Sequence, residues 1–152
     1  MKSLILGMGS PILSDDGVGL FIAGKLKDRI EGVDALATNL VGLDLLEIMR
    51  GYDRIFLIDA LTTRNGTVGE LKKLTLETGT LHLFTSHGLN FSEILELGNR
   101  LGIEMPDVGA VYGIEIGDEV AFGEEFSDVI SEKIDSIIEE ITEDIKKLVN
   151  SA

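Results

Sequence analysis

Lys2-Ser3-Leu4-Ile5-Leu6-Gly7-Met8-Gly9-Ser10-Pro11-Ile12-Leu13-Ser14-Asp15-Asp16-Gly17-Val18 opens the chain with a short apolar run that turns at once into glycine, proline, serine and aspartate. The run up to Gly7 reads as a short buried strand, and the punctuation after it as a polar, turn-rich loop. A helix should follow, because Val18, Phe21, Ile22, Leu26 and Ile30 recur at helical spacing. Asp15 or Asp16 stands near its amino end, where a carboxylate can cap free N–H groups.

Outward from this unit, residues 33 to 40 read as a second strand, Gly42 to Met49 as a second helix, and Arg54 to Asp59 as a third strand with a buried Ile-Phe-Leu-Ile pattern. Strand and helix alternate, which predicts parallel strands joined by right-handed crossovers. Thr67 to Leu76 breaks the alternation: it looks like a strand but follows Asp59 too closely for a helical crossover, so it should run antiparallel. The stretch from Glu77 to Ser86 then climbs back, and Asn90-Phe91-Ser92-Glu93 has the form of a capping box opening a helix through Arg100. Val108 to Ile116 reads as the last strand. Phe126, Ile130, Ile134, Ile137, Ile138, Ile141, Ile145 and Leu148 form the apolar stripe of a long closing helix. The expected fold is a single α/β domain over residues 1–152, a three-layer sandwich. Its twisted five-stranded sheet is mostly parallel with one antiparallel strand, and helices lie on both faces.

Composition agrees with a globular chain: 44% of the 152 residues are apolar, with no low-complexity tract. The longest apolar runs are far short of a bilayer span and the start lacks the features of a signal peptide, so a cytoplasmic protein without membrane insertion is expected. A formal net charge of −14 argues against nucleic acid and anionic membranes and favours a protein, peptide or cationic partner. Without cysteine, a metal site must be built from carboxylates, imidazoles and carbonyls, and only His82 and His87 carry imidazole.

In open α/β sheets the ligand crevice lies beyond the carboxyl ends of the strands. Asp15 and Asp16 follow the first strand, Asp59 ends the third, and His87 arrives at the same edge just before a helix whose amino end favours neutral imidazole. Two carboxylates and one imidazole suit a divalent first-row metal and leave positions open for a partner's ligands. Plainer roles stand beside these: His87 as an exposed loop residue, one of the two adjacent aspartates as a helix cap, Asp59 as a residue fixing the next turn. His82, among Leu81, Leu83 and Phe84, reads as packing or surface. The Gly7-Met8-Gly9 triplet does not complete a dinucleotide-binding loop, since Ile12 stands where glycine is needed and Pro11 removes an N–H.

Taken together, Gly7 through Gly19, Leu57-Ile58-Asp59-Ala60 and Thr85-Ser86-His87-Gly88-Leu89 resemble the signature of the nickel-iron hydrogenase maturation proteases, and chain length and element order agree along nearly the whole sequence. The resemblance implies a metal-dependent, nickel-sensing endopeptidase. Such an enzyme removes the carboxyl-terminal extension of a hydrogenase large-subunit precursor after nickel insertion. It assigns the metal-contacting roles to Asp16, Asp59 and His87, with nickel supplied by the substrate, no permanent cofactor, and the precursor as partner of a monomer. The chain departs from the family pattern at Ser10-Pro11, where asparagine and an apolar residue are common. It departs again at Ala37-Thr38-Asn39-Leu40, where many members carry an aspartate and glycines. No Ser/His/Asp or Cys/His nucleophilic set is identifiable, and the His-Glu-x-x-His motif is absent. A phosphoacceptor signalling domain using Asp59 is the alternative reading of the same frame, although the acidic pair stands well beyond the first strand and no lysine follows the last.

Overall fold

The computed structural model describes residues 1–40, 42–75, 91–117 and 121–151. Among the described residues five strands form one sheet: β1 (Ser3–Met8), β2 (Val33–Thr38), β3 (Arg54–Leu61), β4 (Leu71–Leu74) and β5 (Asp107–Glu115), in the order β2-β1-β3-β5-β4. All neighbours are parallel except β4, which runs antiparallel to β5. The helices are α1 (Val18–Leu26), α2 (Leu45–Met49), α3 (Phe91–Arg100) and α4 (Asp128–Asn150), with short 3-10 turns at Ser14–Gly17 and Gly42–Asp44.

Strand periodicity sorts the core into two layers. Ile5, Phe56, Ile58, Ala60, Ala110, Tyr112 and Ile114 face α1 and α4. Leu4, Leu6, Met8, Ile55, Leu57 and Val111 face α2 and α3. A bulge between Ile55 and Phe56 keeps this alternation in phase across β3 and β5, with Gly109 as the extra residue. The bulge also needs glycine for space, because a Cβ at 109 would stand 2.7 Å from the Phe56 ring. The α4 stripe of Ile130, Ile134, Ile137, Ile138, Ile141 and Ile145 is buried along one side of the sheet as its spacing predicts. The three-layer, mostly parallel sandwich expected from the alternation of elements is therefore the fold. No helix among the described residues is long and apolar enough to cross a membrane.

Several expected boundaries move. The fourth strand shrinks to Leu71–Leu74, because Thr67 to Glu70 form a turn in which the Glu70 N–H donates to the Thr67 carbonyl. The second strand stops at Thr38, whose hydroxyl accepts the Leu40 N–H and turns the chain away. The second helix divides into a 3-10 turn and α2, and α1 ends at Leu26, leaving Ile30 to reach the core from a loop. Phe21 leaves the expected α1 stripe: it is partly exposed and stacks edge-to-face on Phe126. Asn90, the expected cap of α3, and the climb from Glu77 to Ser86 lie outside the described residues.

Candidate active site

The β1–α1 connection is held in shape by backbone contacts that only glycine permits. A Cβ at Gly9 would stand 2.3 Å from the Asp16 carbonyl oxygen, so the loop closes on itself at that point. Gly19 does the same for the helix, since its Cβ would meet the Met8 and Ile58 carbonyl oxygens at 2.5 and 2.6 Å. The first turn of α1 therefore rests on the carboxyl end of β1 and on β3 at Ile58. β3 continues through Asp59 to Leu61 because it stays paired with β5, so Asp59 lies inside the strand and not at its end as expected. The 3-10 turn carrying Asp16 lies against β3 as well.

Asp16 and Asp59 are thus brought to one edge of the sheet. Asp59 is 0% exposed and continues the alternation of Ile55 and Leu57, on the α2/α3 side; its Oδ1 accepts the Ala60 N–H at 2.8 Å. Asp16 is 5% exposed, and its Oδ2 accepts the Ser10 N–H at 3.1 Å across the loop. Carboxylates this deeply buried are costly unless hydrogen-bonded, paired or bound to a cation. His87, the third expected member, and His82 lie outside the described residues. Among the described residues no three of His, Asp and Glu are gathered as a metal-holding group. The donor set they offer is two oxygen-bearing side chains, which suits a hard or borderline divalent ion that brings ligands of its own.

Asp15 has a different task from its neighbour. Its carboxylate accepts both the Ser127 N–H and the Ser127 hydroxyl, each at 2.7 Å, at the amino end of α4. Neither aspartate caps α1, whose cap position is Gly17 with no side-chain bond. This corrects the expectation that one of them would. The loop is tied to the segment before α4 at further points: Ser14 N–H to the Gly123 carbonyl, Ser14 Oγ to the Glu125 carbonyl, and Gly123 N–H to the Ile12 carbonyl. Ser14 sits at φ +43°, a left-handed conformation uncommon for a side chain with a Cβ, and these bonds hold it there.

Sequence reasoning passed over Ser127 and Glu115. Glu115 ends β5, is 1% exposed, and accepts the Thr63 N–H at 2.9 Å and the Thr63 hydroxyl, with Lys72 Nζ at 3.7 Å. Its signal was present: a charge inside the apolar run from Val111 to Ile116 has the same form that singled out Asp59. In register Asp59 faces Gly113 and Leu61 faces Glu115, so the two buried carboxylates stand one step apart on adjacent strands and on the same side of the sheet. A cleft of about 680 Å³ lies elsewhere, between α4 and the β4–β5 edge around Lys73, Tyr112, Glu143 and Asp144. It opens on the α1/α4 side, so the sheet separates it from Asp59.

No family model matches the chain. Over 102 residues, 62% of this chain and 62% of the relative, it is 28% identical to the hydrogenase 2 maturation protease of Escherichia coli K12, so the match spans less than two thirds of that protein's length. Its fold superposes on the hydrogenase maturating endopeptidase HybD from E. coli with a TM-score of 0.75, covering 97% of this chain and 93% of the other at 20% identity. The nickel-iron hydrogenase maturation protease HycI from Thermococcus kodakarensis superposes at 0.70, covering 96% and 92% at 23% identity. In sequence over much of its length and in fold over nearly all of it, the chain is similar to the hydrogenase maturation proteases.

Proposed function

We propose that this protein is an endopeptidase that removes the carboxyl-terminal extension of a nickel-iron hydrogenase large-subunit precursor once nickel has been inserted. The observation that carries the reading is the pair of buried carboxylates, Asp16 in the loop after β1 and Asp59 on β3 beside the carboxyl end of β1, on a frame similar to the maturation proteases. In this reading Asp16, Asp59 and His87 complete the coordination of an ion that the precursor carries, and the protein keeps no metal of its own. Such an ion supplies Lewis-acid chemistry, polarising a carbonyl or lowering the pKa of a bound water. The chain's own contribution is to orient the carboxylates: the Ala60 N–H aims Asp59, and the Ser10 N–H aims Asp16. Nickel-free precursor then lacks the group these residues recognise, which couples processing to loading.

The test is incubation with nickel-loaded and nickel-free large-subunit precursor, following loss of the tail by mass. Cleavage confined to loaded precursor, and lost in Asp16→Asn, Asp59→Asn and His87→Ala, is the expected result. Normal rates in all three variants, or equal cleavage of both precursors, would reject it.

A further inference from the structure

Beside the Asp16 loop the chain displays apolar side chains that its own core does not use. Phe122 is 85% exposed and Ile12 57% exposed. They are not on a loose tip: the Gly123 N–H donates to the Ile12 carbonyl and the Ser14 N–H to the Gly123 carbonyl, both at 2.8 Å, pairing the two segments in parallel at Leu13 and Gly123. Two residues further on, Ser14 Oγ reaches the Glu125 carbonyl, and Asp15 fastens Ser127. The apolar pair is therefore built into the same bonded unit that presents Asp16. A large aromatic side chain held in water by fixed backbone is the kind of anchor that dominates protein interfaces.

The charges around it select the occupant. Residues 9–17 and 121–129 contain Asp15, Asp16, Glu124, Glu125 and Asp128 and no lysine or arginine, within a chain of net charge −14. Glu124 and Glu125, next to Phe122, are exposed. A second copy of this chain would bring the same negative field, whereas a segment joining an apolar side chain to basic neighbours would be drawn in.

We infer that Ile12 and Phe122, flanked by Glu124 and Glu125, form the docking surface for an apolar, positively charged segment of the substrate protein, and that docking there sets its cleavable bond against Asp16 and Asp59. This rests on the protease reading above. It goes further by naming the surface and the chemistry of the segment that meets it.

The experiment measures two quantities with the full chain: the affinity for nickel-free large-subunit precursor, which requires no cleavage, and KM and kcat on nickel-loaded precursor. Phe122→Ser with Ile12→Ser should weaken binding by roughly tenfold or more and raise KM in step while kcat holds. Phe122→Leu should recover most of the loss. Glu124→Lys with Glu125→Lys should weaken binding and flatten its decline with added salt. Unchanged affinity in the Phe122 and Ile12 variants overturns the docking surface, and normal cleavage by the parent protein in the same assay leaves the protease reading standing. Loss of affinity in a protein that never cleaves loaded precursor keeps the binding surface but removes the protease reading and, with it, the placing of a cleavable bond against Asp16 and Asp59. A parent protein that is dimeric and becomes monomeric on Phe122→Ser, with precursor affinity unchanged, assigns the surface to self-association and overturns the inference.

Discussion

Asp15 grips Ser127 with both carboxylate oxygens at 2.7 Å, joining the loop after the first strand to the start of the last helix across 112 positions of sequence. One oxygen takes the backbone N–H and the other the hydroxyl, so the side chain satisfies an amino-terminal donor of α4 from outside the helix. Asp15→Ala strips both acceptors at once. It should cost about 1–3 kcal/mol of stability, while Ser127→Ala, which spares the N–H bond, should cost about 1 kcal/mol. The double variant should cost less than the sum, a coupling visible in urea unfolding midpoints. Asp15→Asn keeps an acceptor and should fall between. Full additivity of the two single variants would show that the contact carries no energy.

Gly19 meets the sheet edge so closely that a methyl group has nowhere to go. Its Cβ would lie 2.5 Å from the Met8 carbonyl oxygen and 2.6 Å from that of Ile58. Both neighbours are backbone, so relief requires moving α1 off the segments of β1 and β3 that lead into Gly9 and Asp59. Gly19→Ala should destabilise by about 1–3 kcal/mol through overpacking, outweighing the gain in helix propensity of about 1 kcal/mol. Gly24→Ala on the same helix, where nothing lies within 4 Å of the added carbon, should instead be neutral or slightly stabilising. Thermal unfolding of the two variants side by side checks the contrast.

These relationships mark how far the sequence could be read. Strand and helix identities follow from periodicity that local residues carry, which is why β3, the antiparallel β4 and the isoleucine stripe of α4 form as expected, although β3 runs past Asp59 to Leu61 and β4 begins only at Leu71. Asp16 and Asp59 came from the general rule about strand ends and from a family resemblance. The sequence leaves the α1 cap open between Asp15 and Asp16, and neither takes it, because the partner of Asp15 is 112 positions away: a carboxylate before a helix looks like that helix's cap, and only the tertiary arrangement reveals the other helix. Phe21 shares the helical spacing of the α1 stripe, but spacing fixes a face and not the edge of that face, where Phe126 meets it. Glu115 was legible as a charge in an apolar strand, but its use, holding the Thr63 turn, depends on a loop without periodicity.

Glu115 organises the connection between β3 and β4 through the Thr63 N–H, the Thr63 hydroxyl and Lys72. Gly66 packs against it, and a Cβ there would displace the Glu115 carboxylate from its place beside Thr63. Glu115→Ala leaves the Thr63 N–H without its acceptor and Lys72 without its counter-charge. Lys72 is partly exposed and can turn to water, so the cost should be nearer 2 kcal/mol than the larger values of fully buried pairs, on the order of 3–5 kcal/mol. Glu115→Gln retains an oxygen for the N–H and should lose about half as much. Faster amide exchange between residues 62 and 70 in Glu115→Ala, with β1 unaffected, would locate the effect in this loop. Uniform loosening of the whole sheet would contradict it.

Tyr112 donates its hydroxyl proton to Asp144 Oδ2 at 2.6 Å, and Lys73 Nζ lies 2.9 Å from the same oxygen. Burial, then the bond to Asp144, then its negative charge all push the Tyr112 hydroxyl far above the ordinary phenol value of 10.0. Asp144 moves the other way: partial burial raises it, but bonds from Lys73 and Tyr112 outweigh that and hold it below 3.8. The signs follow from which state keeps the proton. Above pH 10 the unfolded chain releases the Tyr112 proton and the folded one does not, so stability present below that pH falls as pH rises. For Asp144 the contribution is present above its ordinary pKa and is lost as pH falls below it. Tyr52, raised to about 12 by burial and its bond to Asp34, adds to the alkaline decline, and the sequence contains no third tyrosine. Tyr112→Phe should therefore be less stable than the parent at neutral pH by about 1 kcal/mol, yet lose stability less steeply between about pH 9 and pH 11. Tyr112→Phe with Tyr52→Phe should flatten the slope further. Urea midpoints across that range decide the matter, and a parallel decline in parent and variants would show that the phenol proton is not what the folded state holds.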